Sequence, residues 1–132
     1  MTKEKSERHT QGMATRRSVL GEKYVDAAEA KKNAFDEPFQ DYITEAAWSQ
    51  LWSRPHFSKR ERSIVTIALL AALGHYEEVA MHVRATLNTG ATREDVQEAL
   101  MHVAVYAGVP AANQAFKIAK EVYAAIDAEN EA

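Results

Sequence analysis

The chain has 132 residues and 46% of them are hydrophobic, which is enough for one domain with a core of its own. It contains no cysteine, and this excludes disulfides, thiolate metal sites and thiol chemistry. The net charge is −3 with acidic and basic residues interspersed, so we expect no nucleic acid partner.

We expect a cytoplasmic protein that does not cross a membrane. The first 25 residues contain no continuous apolar segment, so no secretory signal is visible. The longest uncharged stretch, residues 63–74, is too short to span a bilayer as a helix.

The N-terminal part of the chain changes character near residue 10. Residues 1–10 are polar and lack apolar periodicity, which predicts a flexible segment, and we place a helical domain at residues 11–132. Apolar residues recur loosely at helical spacing over residues 12–33, and Gly21 interrupts them. This pattern predicts two short helices.

Two further helix starts follow. Asp36 can cap a helix that carries Pro38 in its first turn and ends before Pro55. Ser58 and Glu61 have the spacing of a capping box, in which each side chain accepts a hydrogen bond from the backbone N–H of the other residue.

The C-terminal part reads as further helices without strand alternation. Residues 64–73 are apolar nearly all round, which predicts a helix at the centre of the domain or beneath a second subunit. Gly74 and Gly90 are placed to end helices, residues 92–95 to start one, and Pro110 to open the last. The fold class is therefore an all-α, single-domain helical bundle.

One predicted helix face carries ionisable side chains. His75, Glu78 and His82 are spaced i, i+3 and i+7, which places them within an arc of roughly 60° on one helix. His82 falls at the edge of the apolar stripe, where a histidine can titrate near neutral pH. A satisfied core histidine is the alternative. We expect no metal, because a bundle-type metal site needs matching ligands from facing helices.

Other charged residues lie near predicted buried positions. Glu61 is already explained by the capping box. Arg62 and Arg84 lie next to buried positions, so their guanidinium groups either reach solvent or meet a carboxylate, including that of a bound anion. His102 has a glutamate and a tyrosine one turn away on either side, which is also typical of a solvated helix face.

Several motifs over residues 57–122 resemble the carboxymuconolactone decarboxylase family. They are RSIVTIALLAALG at 62–74, HVR at 82–84, NTG at 88–90, TRED at 92–95 and YAGVPAAN at 106–113, with RRSVLG at 16–21 and WSQLWSRP at 48–55 upstream. The wider superfamily includes alkylhydroperoxidase D, whose Cys-x-x-Cys-x-x-x-His pattern falls on His75, Glu78 and His82. Only the histidine matches, so a dithiol peroxidase cycle is excluded.

The resemblance implies a subunit of the alkylhydroperoxidase D-like type in a ring-like trimer or hexamer, with sites near subunit contacts. It implies a cofactor-independent carboxy-lyase of the protocatechuate branch of the β-ketoadipate pathway. The substrate would be a small dicarboxylate lactone, 4-carboxymuconolactone, and the products 3-oxoadipate enol-lactone and CO₂.

Given that reaction, the ionisable residues receive roles. We expect His82 to donate the proton and Glu78 to orient it. Arg62 or Arg84 should hold the acetate arm that does not react, because a cation on the departing carboxylate would stabilise the ground state more than the transition state. The departing carboxylate should face an apolar wall or an acidic neighbour such as Glu61 or Glu78.

His75 and His102 complete the expected set as substrate-binding residues. Two other functions stay open from the sequence: a non-catalytic helical assembly module, and a related enzyme of the superfamily that acts on another lactone or a hydroperoxide.

Overall fold

The computed structural model describes residues 4–131, whose regular elements are all helical with no strand among them. The elements are α1 (Glu7–Leu20), α2 (Glu22–Lys31), α3 (Glu37–Ile43), a π-helical segment (Thr44–Ser49), α4 (Lys59–Leu73), α5 (Tyr76–Thr89), α6 (Arg93–Tyr106) and α7 (Val109–Glu131). The predicted all-α class is confirmed. None of these helices is long and apolar enough to span a membrane. The chain divides into two compact units, and the boundary between them in the sequence falls between Ser58 and Lys59.

In the first unit, α1 begins earlier than the sequence predicted. The Ser6 hydroxyl accepts a hydrogen bond from the backbone N–H of His9 at 3.0 Å and caps the helix, so Glu7 is already helical. Helix therefore replaces the predicted flexible segment at residues 7–10. Residues 1–3 of that segment lie outside the described residues.

Helix α1 packs closely against the π-helical segment of the same unit. A Cβ atom at Gly12 would overlap the backbone carbonyl oxygen of Thr44, so only glycine permits this approach. Trp48 and Trp52 are buried in this unit, with ring centroids 5.3 Å apart. The break predicted at Gly21 is confirmed, because α1 ends and α2 begins there.

The helix predicted from Asp36 starts as expected and then changes its hydrogen-bond pattern. Asp36 precedes α3 and Pro38 lies in its first turn. Over Thr44–Ser49 the bonds span five residues, and the Gln50 N–H donates to the carbonyl of Glu45 at 2.9 Å. The sequence predicted one uninterrupted helix here.

The second unit contains α4 to α7. Helix α4 packs against α5 and α6, and α7 packs against the same two helices. Alanines supply much of the α7 side of the core, and such small side chains permit close approach of the helices. The buried core residues are Ile67, Ala71, Val79, Val83, Val96, Leu100, Val103, Ala112, Ala115 and Ala119.

The junctions of this unit follow the predicted signals. Gly74 (φ +77°) follows α4 and Gly90 (φ +86°) ends α5 in the left-handed conformation. At the start of α6 the Asp95 N–H donates to the Thr92 hydroxyl at 3.0 Å, and the Thr92 N–H donates to the Asp95 carboxylate at 2.8 Å. The start of α6 is therefore a complete capping box. At the start of α4, Ser58 directly precedes the first helical residue.

Helix α4 is buried on one face only. Ile67 and Ala71 are fully buried, whereas Val65, Leu69 and Leu73, at i, i+4 and i+8, are 45%, 57% and 68% exposed. The apolar character that the sequence showed all round this helix therefore serves the core on one side and is presented outward on the other.

A buried hydrogen bond sets the register between α4 and α5. The Ser63 hydroxyl donates to the Thr89 hydroxyl at 2.7 Å. Only residues 74 and 75 separate the two helices in the chain, so they run antiparallel, and the start of α4 lies beside the end of α5.

Candidate active site

His82 occupies the interior face of α5. It is 6% exposed and is followed directly by the fully buried Val83, with Val79 one turn earlier. Burial lowers the pKa of His82 from 6.5 to about 4, while the Glu78 carboxylate one turn earlier acts in the opposite direction. The imidazole is therefore neutral at pH 7 in the ligand-free chain. This corrects the expectation of a site at the edge of the apolar stripe that titrates near neutral pH.

Of the three ionisable residues predicted on one helix face, only Glu78 and His82 lie on α5. His75 precedes α5 with a non-helical backbone (φ −88°, ψ 70°) and is exposed, because the chain turns there after Gly74. Helical spacing therefore relates Glu78 to His82 but does not apply to His75. Glu78 is exposed in the first turn of α5 and still acts on the imidazole electrostatically.

The first turn of α4 contains a buried cation. Arg62 is 8% exposed, whereas the adjacent Glu61 is exposed. The neighbouring Arg60 forms two hydrogen bonds to Asp95 at 2.6 and 2.7 Å. Asp95, and more weakly Glu61, raise the pKa of Arg60. Arg62 is thus the arginine of this turn that the fold holds in the interior.

The helix register gives the spacing between Arg62 and His82. Because Ser63 meets Thr89, Arg62 lies near the level of the last turn of α5, whereas His82 lies about two turns back toward the loop. At 1.5 Å per residue and an offset of eight residues, the two Cα atoms are separated by about 12 Å along the helix axes. Both residues are buried in the same unit.

The other two predicted substrate-binding residues lie at the surface. Arg84 donates two hydrogen bonds to Glu129 of α7, at 2.9 and 3.1 Å, and the two side chains are 42% and 59% exposed. His102 is exposed on α6, and its ring stacks on Tyr106 with centroids 6.3 Å apart. The fold of this chain does not bring either residue into the interior with His82.

A further polar group lies one turn beyond His82 and was not predicted as part of a site. Thr86 is 6% exposed and donates a hydrogen bond to the Val83 carbonyl at 2.6 Å. Burial raises the pKa of Tyr123 on α7, and the Thr86 hydroxyl acts against that shift. Tyr123 follows Thr86 by 37 positions in the chain, so local spacing gave no signal that the two side chains interact. Within residues 4–131, no group of three His, Asp or Glu side chains is arranged to hold a metal ion.

Comparison with known proteins identifies the family of the chain. Residues 37–121 match the model of the carboxymuconolactone decarboxylase family, and this segment includes α4, α5 and α6 with Arg62 and His82. The chain belongs to the carboxymuconolactone decarboxylase family. The resemblance identified from the sequence motifs is thereby confirmed.

Relatives in the family carry named activities. The chain is 44% identical to 4-carboxymuconolactone decarboxylase of Acinetobacter baylyi over 117 residues, covering 89% of this chain and 87% of that protein. It is 34% identical to nitrosuccinic acid decarboxylase of Metarhizium robertsii over 111 residues, covering 84% and 78%. An uncharacterized 15.0 kDa protein of Paracoccus denitrificans is 30% identical over 89 residues, or 66% of each chain.

Proposed function

We propose that the chain is a cofactor-independent 4-carboxymuconolactone decarboxylase that produces 3-oxoadipate enol-lactone and CO₂. The observation that carries this proposal is the 44% identity, over 89% of the chain, to the enzyme of that name from Acinetobacter baylyi. The buried histidine and arginine within the family segment supply side chains suited to the reaction.

The chemistry requires little beyond placement and a proton. The bond between the ring carbon and its carboxylate breaks and CO₂ leaves, while the electron pair passes into the unsaturated lactone as a dienolate. A proton then adds to a ring carbon and gives the enol-lactone. Because the lactone itself accepts the electron pair, the enzyme has to stabilise an oxyanion and supply an acid, each a common source of rate enhancement.

His82 is the proposed acid, and its imidazole must become protonated when the substrate binds. With a pKa of about 4, roughly one ligand-free molecule in a thousand holds this proton at pH 7. A dianionic substrate beside the imidazole favours its charged form, as Glu78 already does. We therefore expect proton uptake with substrate binding, followed by donation to the ring carbon.

Arg62 is the proposed partner of the acetate arm that does not react. It is buried in the same unit as His82, whereas Arg84 is only partly buried and is already bound to Glu129. A dicarboxylate lying between Arg62 and His82 would place one carboxylate on the guanidinium and the reacting centre near the imidazole. Glu78, one turn from His82, is the proposed acidic neighbour that destabilises the departing carboxylate, with Glu61 as the alternative.

We propose that the subunit is of the alkylhydroperoxidase D-like type and assembles as a cytoplasmic trimer or hexamer. The apolar face of α4 formed by Val65, Leu69 and Leu73 supports self-association, because contiguous exposed apolar side chains commonly mark an interface. Any substrate contact from the exposed His75 or His102 would then involve a neighbouring subunit. Light scattering of Leu69→Glu should show a smaller particle, while Ala124→Glu on exposed α7 surface should not.

A His82→Gln variant tests the catalytic proposal. We expect turnover of 4-carboxymuconolactone, followed by loss of substrate absorbance with product identification, to fall by about 10²- to 10⁴-fold. His56→Gln, at an exposed histidine in the first unit, is the matched control and should retain wild-type turnover. Circular dichroism and gel filtration establish that the variants keep their helicity and assembly. Wild-type turnover by a folded His82→Gln protein would show that His82 is not the acid.

The 34% identity to nitrosuccinic acid decarboxylase favours a second candidate substrate. Nitrosuccinic acid is also a dicarboxylic acid, and loss of the carboxylate next to its nitro group leaves a delocalised nitronate. It therefore retains an acetate arm on the reacting carbon, like the lactone. Comparing kcat/KM for both compounds decides between them, and no turnover of either would favour the non-catalytic assembly module.

A further inference from the structure

Helices α6 and α7 line an open pocket whose residues include neither His82 nor Arg62 of the site proposed above. Its volume is about 230 Å³. Buried apolar side chains form its floor and polar ones stand at its rim. Val96, Leu100 and Ala119 lie at the floor with the rings of Phe116 and Tyr123, and Arg93, Glu94, Gln97 and Lys120 complete the lining.

One wall of this pocket is held in place by a network of side chains. Arg93 donates two hydrogen bonds to Asp127 at 2.6 and 3.2 Å. The same guanidinium lies over the Tyr123 ring, 4.4 Å from its centroid. The charge of Arg93 is thereby offset, and its position shapes the pocket more than it supplies an anion-binding group.

Lys120 is the cation available to a ligand. It is exposed at the pocket rim, and its ammonium has no carboxylate within 4 Å among residues 4–131. Lys120 and Phe116 also line an adjoining pocket of about 390 Å³, which adds Asn113, Lys117 and Glu121. Lys120 therefore stands where an apolar pocket opens into a polar one.

We propose that this pocket binds a small planar carboxylic acid of benzoate size. The ring would lie on Leu100 between α6 and α7, and the carboxylate would face Lys120. Apolar protein cavities of about 150 Å³ accept benzene, so the volume accommodates a ring with one substituent. The apolar floor matches the ring, and the positive charge at the rim matches the carboxylate.

Ligand-observed ¹⁹F NMR with 4-fluorobenzoate tests binding directly. We expect a dissociation constant in the millimolar range, and weaker binding of the neutral 4-fluorobenzamide by about 10-fold. Lys120→Met should weaken 4-fluorobenzoate binding by about 10-fold, whereas Lys117→Met, one turn earlier on the same helix, should change it less than about 2-fold. Gln97→Phe, which fills the rim with a ring, should abolish binding.

Binding at the decarboxylation site instead would be distinguished by His82→Gln. The proposal requires this variant to bind 4-fluorobenzoate as the wild type does, whatever its effect on turnover. It is overturned by the absence of binding at about 10 mM ligand, by equal binding of the acid and the amide, or by binding that survives Gln97→Phe. Loss of binding in His82→Gln while Lys120→Met is unaffected would also overturn it.

Discussion

Mild acid should destabilise this chain through His82. The unfolded imidazole titrates near pH 6.5, whereas burial lowers the pKa of the folded group to about 4. Between these values the unfolded chain binds more protons than the folded chain. The free energy of unfolding contributed by His82 therefore falls as the pH drops from 6.5, and the loss is complete below about pH 4.

The size of this loss follows from the two pKa values. A tenfold change in proton affinity corresponds to about 1.4 kcal/mol, so the difference between 6.5 and about 4 gives about 3 kcal/mol. The carboxylates of Glu29, Asp41 and Asp127 have pKa values below their ordinary 4.5 or 3.8. Their stabilising effects are lost at lower pH. Between pH 7 and 4.5 the effect of His82 on stability can therefore be measured apart from theirs.

Urea unfolding of wild type and His82→Gln over this range, at one protein concentration, measures the effect. Glutamine does not titrate, so on acidification to pH 4.5 the variant should lose about 2.5 kcal/mol less stability than the wild type, which is most of the full effect. The remaining histidines are common to both proteins, and their effects cancel in the comparison. Parallel stability profiles would refute the buried, neutral imidazole and the proton uptake proposed for substrate binding.

Three backbone predictions follow from the helix junctions and crossings. Gly12→Ala should lower the free energy of unfolding by about 2 kcal/mol or more, because its Cβ would overlap the Thr44 carbonyl; an unchanged urea midpoint would contradict this close approach. Gly90→Ala should cost about 1 kcal/mol, since only the left-handed conformation opposes it; a cost equal to that of Gly12→Ala would show that backbone overlap is not the larger effect. Thr92→Ala should cost about 1 kcal/mol in the same assay, because the Asp95 N–H loses the Thr92 hydroxyl as its acceptor. Thr92→Ser keeps a hydroxyl there and should retain wild-type stability.

Helix boundaries were predictable where the signal is local. Gly21 and Gly90 end helices because the chain adopts positive φ there, and the Thr92 and Asp95 side chains satisfy each other's backbone N–H groups. These effects depend on residues within one helical turn. The sequence therefore predicted them without reference to the rest of the fold.

The remaining features depend on long-range contacts. Hydropathy places His82 on an apolar side but does not give the depth of burial that sets its pKa. Arg84 meets Glu129 from 45 residues away, so its partner was invisible to spacing. The π-helical bonds at Thr44–Ser49 also differ from the regular periodicity on which the sequence prediction relied. The early start of α1 is the exception, because its Ser6 cap is a local signal that the sequence prediction missed.

The hydroxyl contact between Ser63 and Thr89 has a consequence for local motion. It fastens the α4 and α5 pair at the end opposite its Gly74 loop. Transient opening should therefore begin at the loop, and amide deuterium exchange in α5 should be fastest in its first turn and slowest toward its last. Thr89→Val would leave the Ser63 hydroxyl without this acceptor and reverse that gradient.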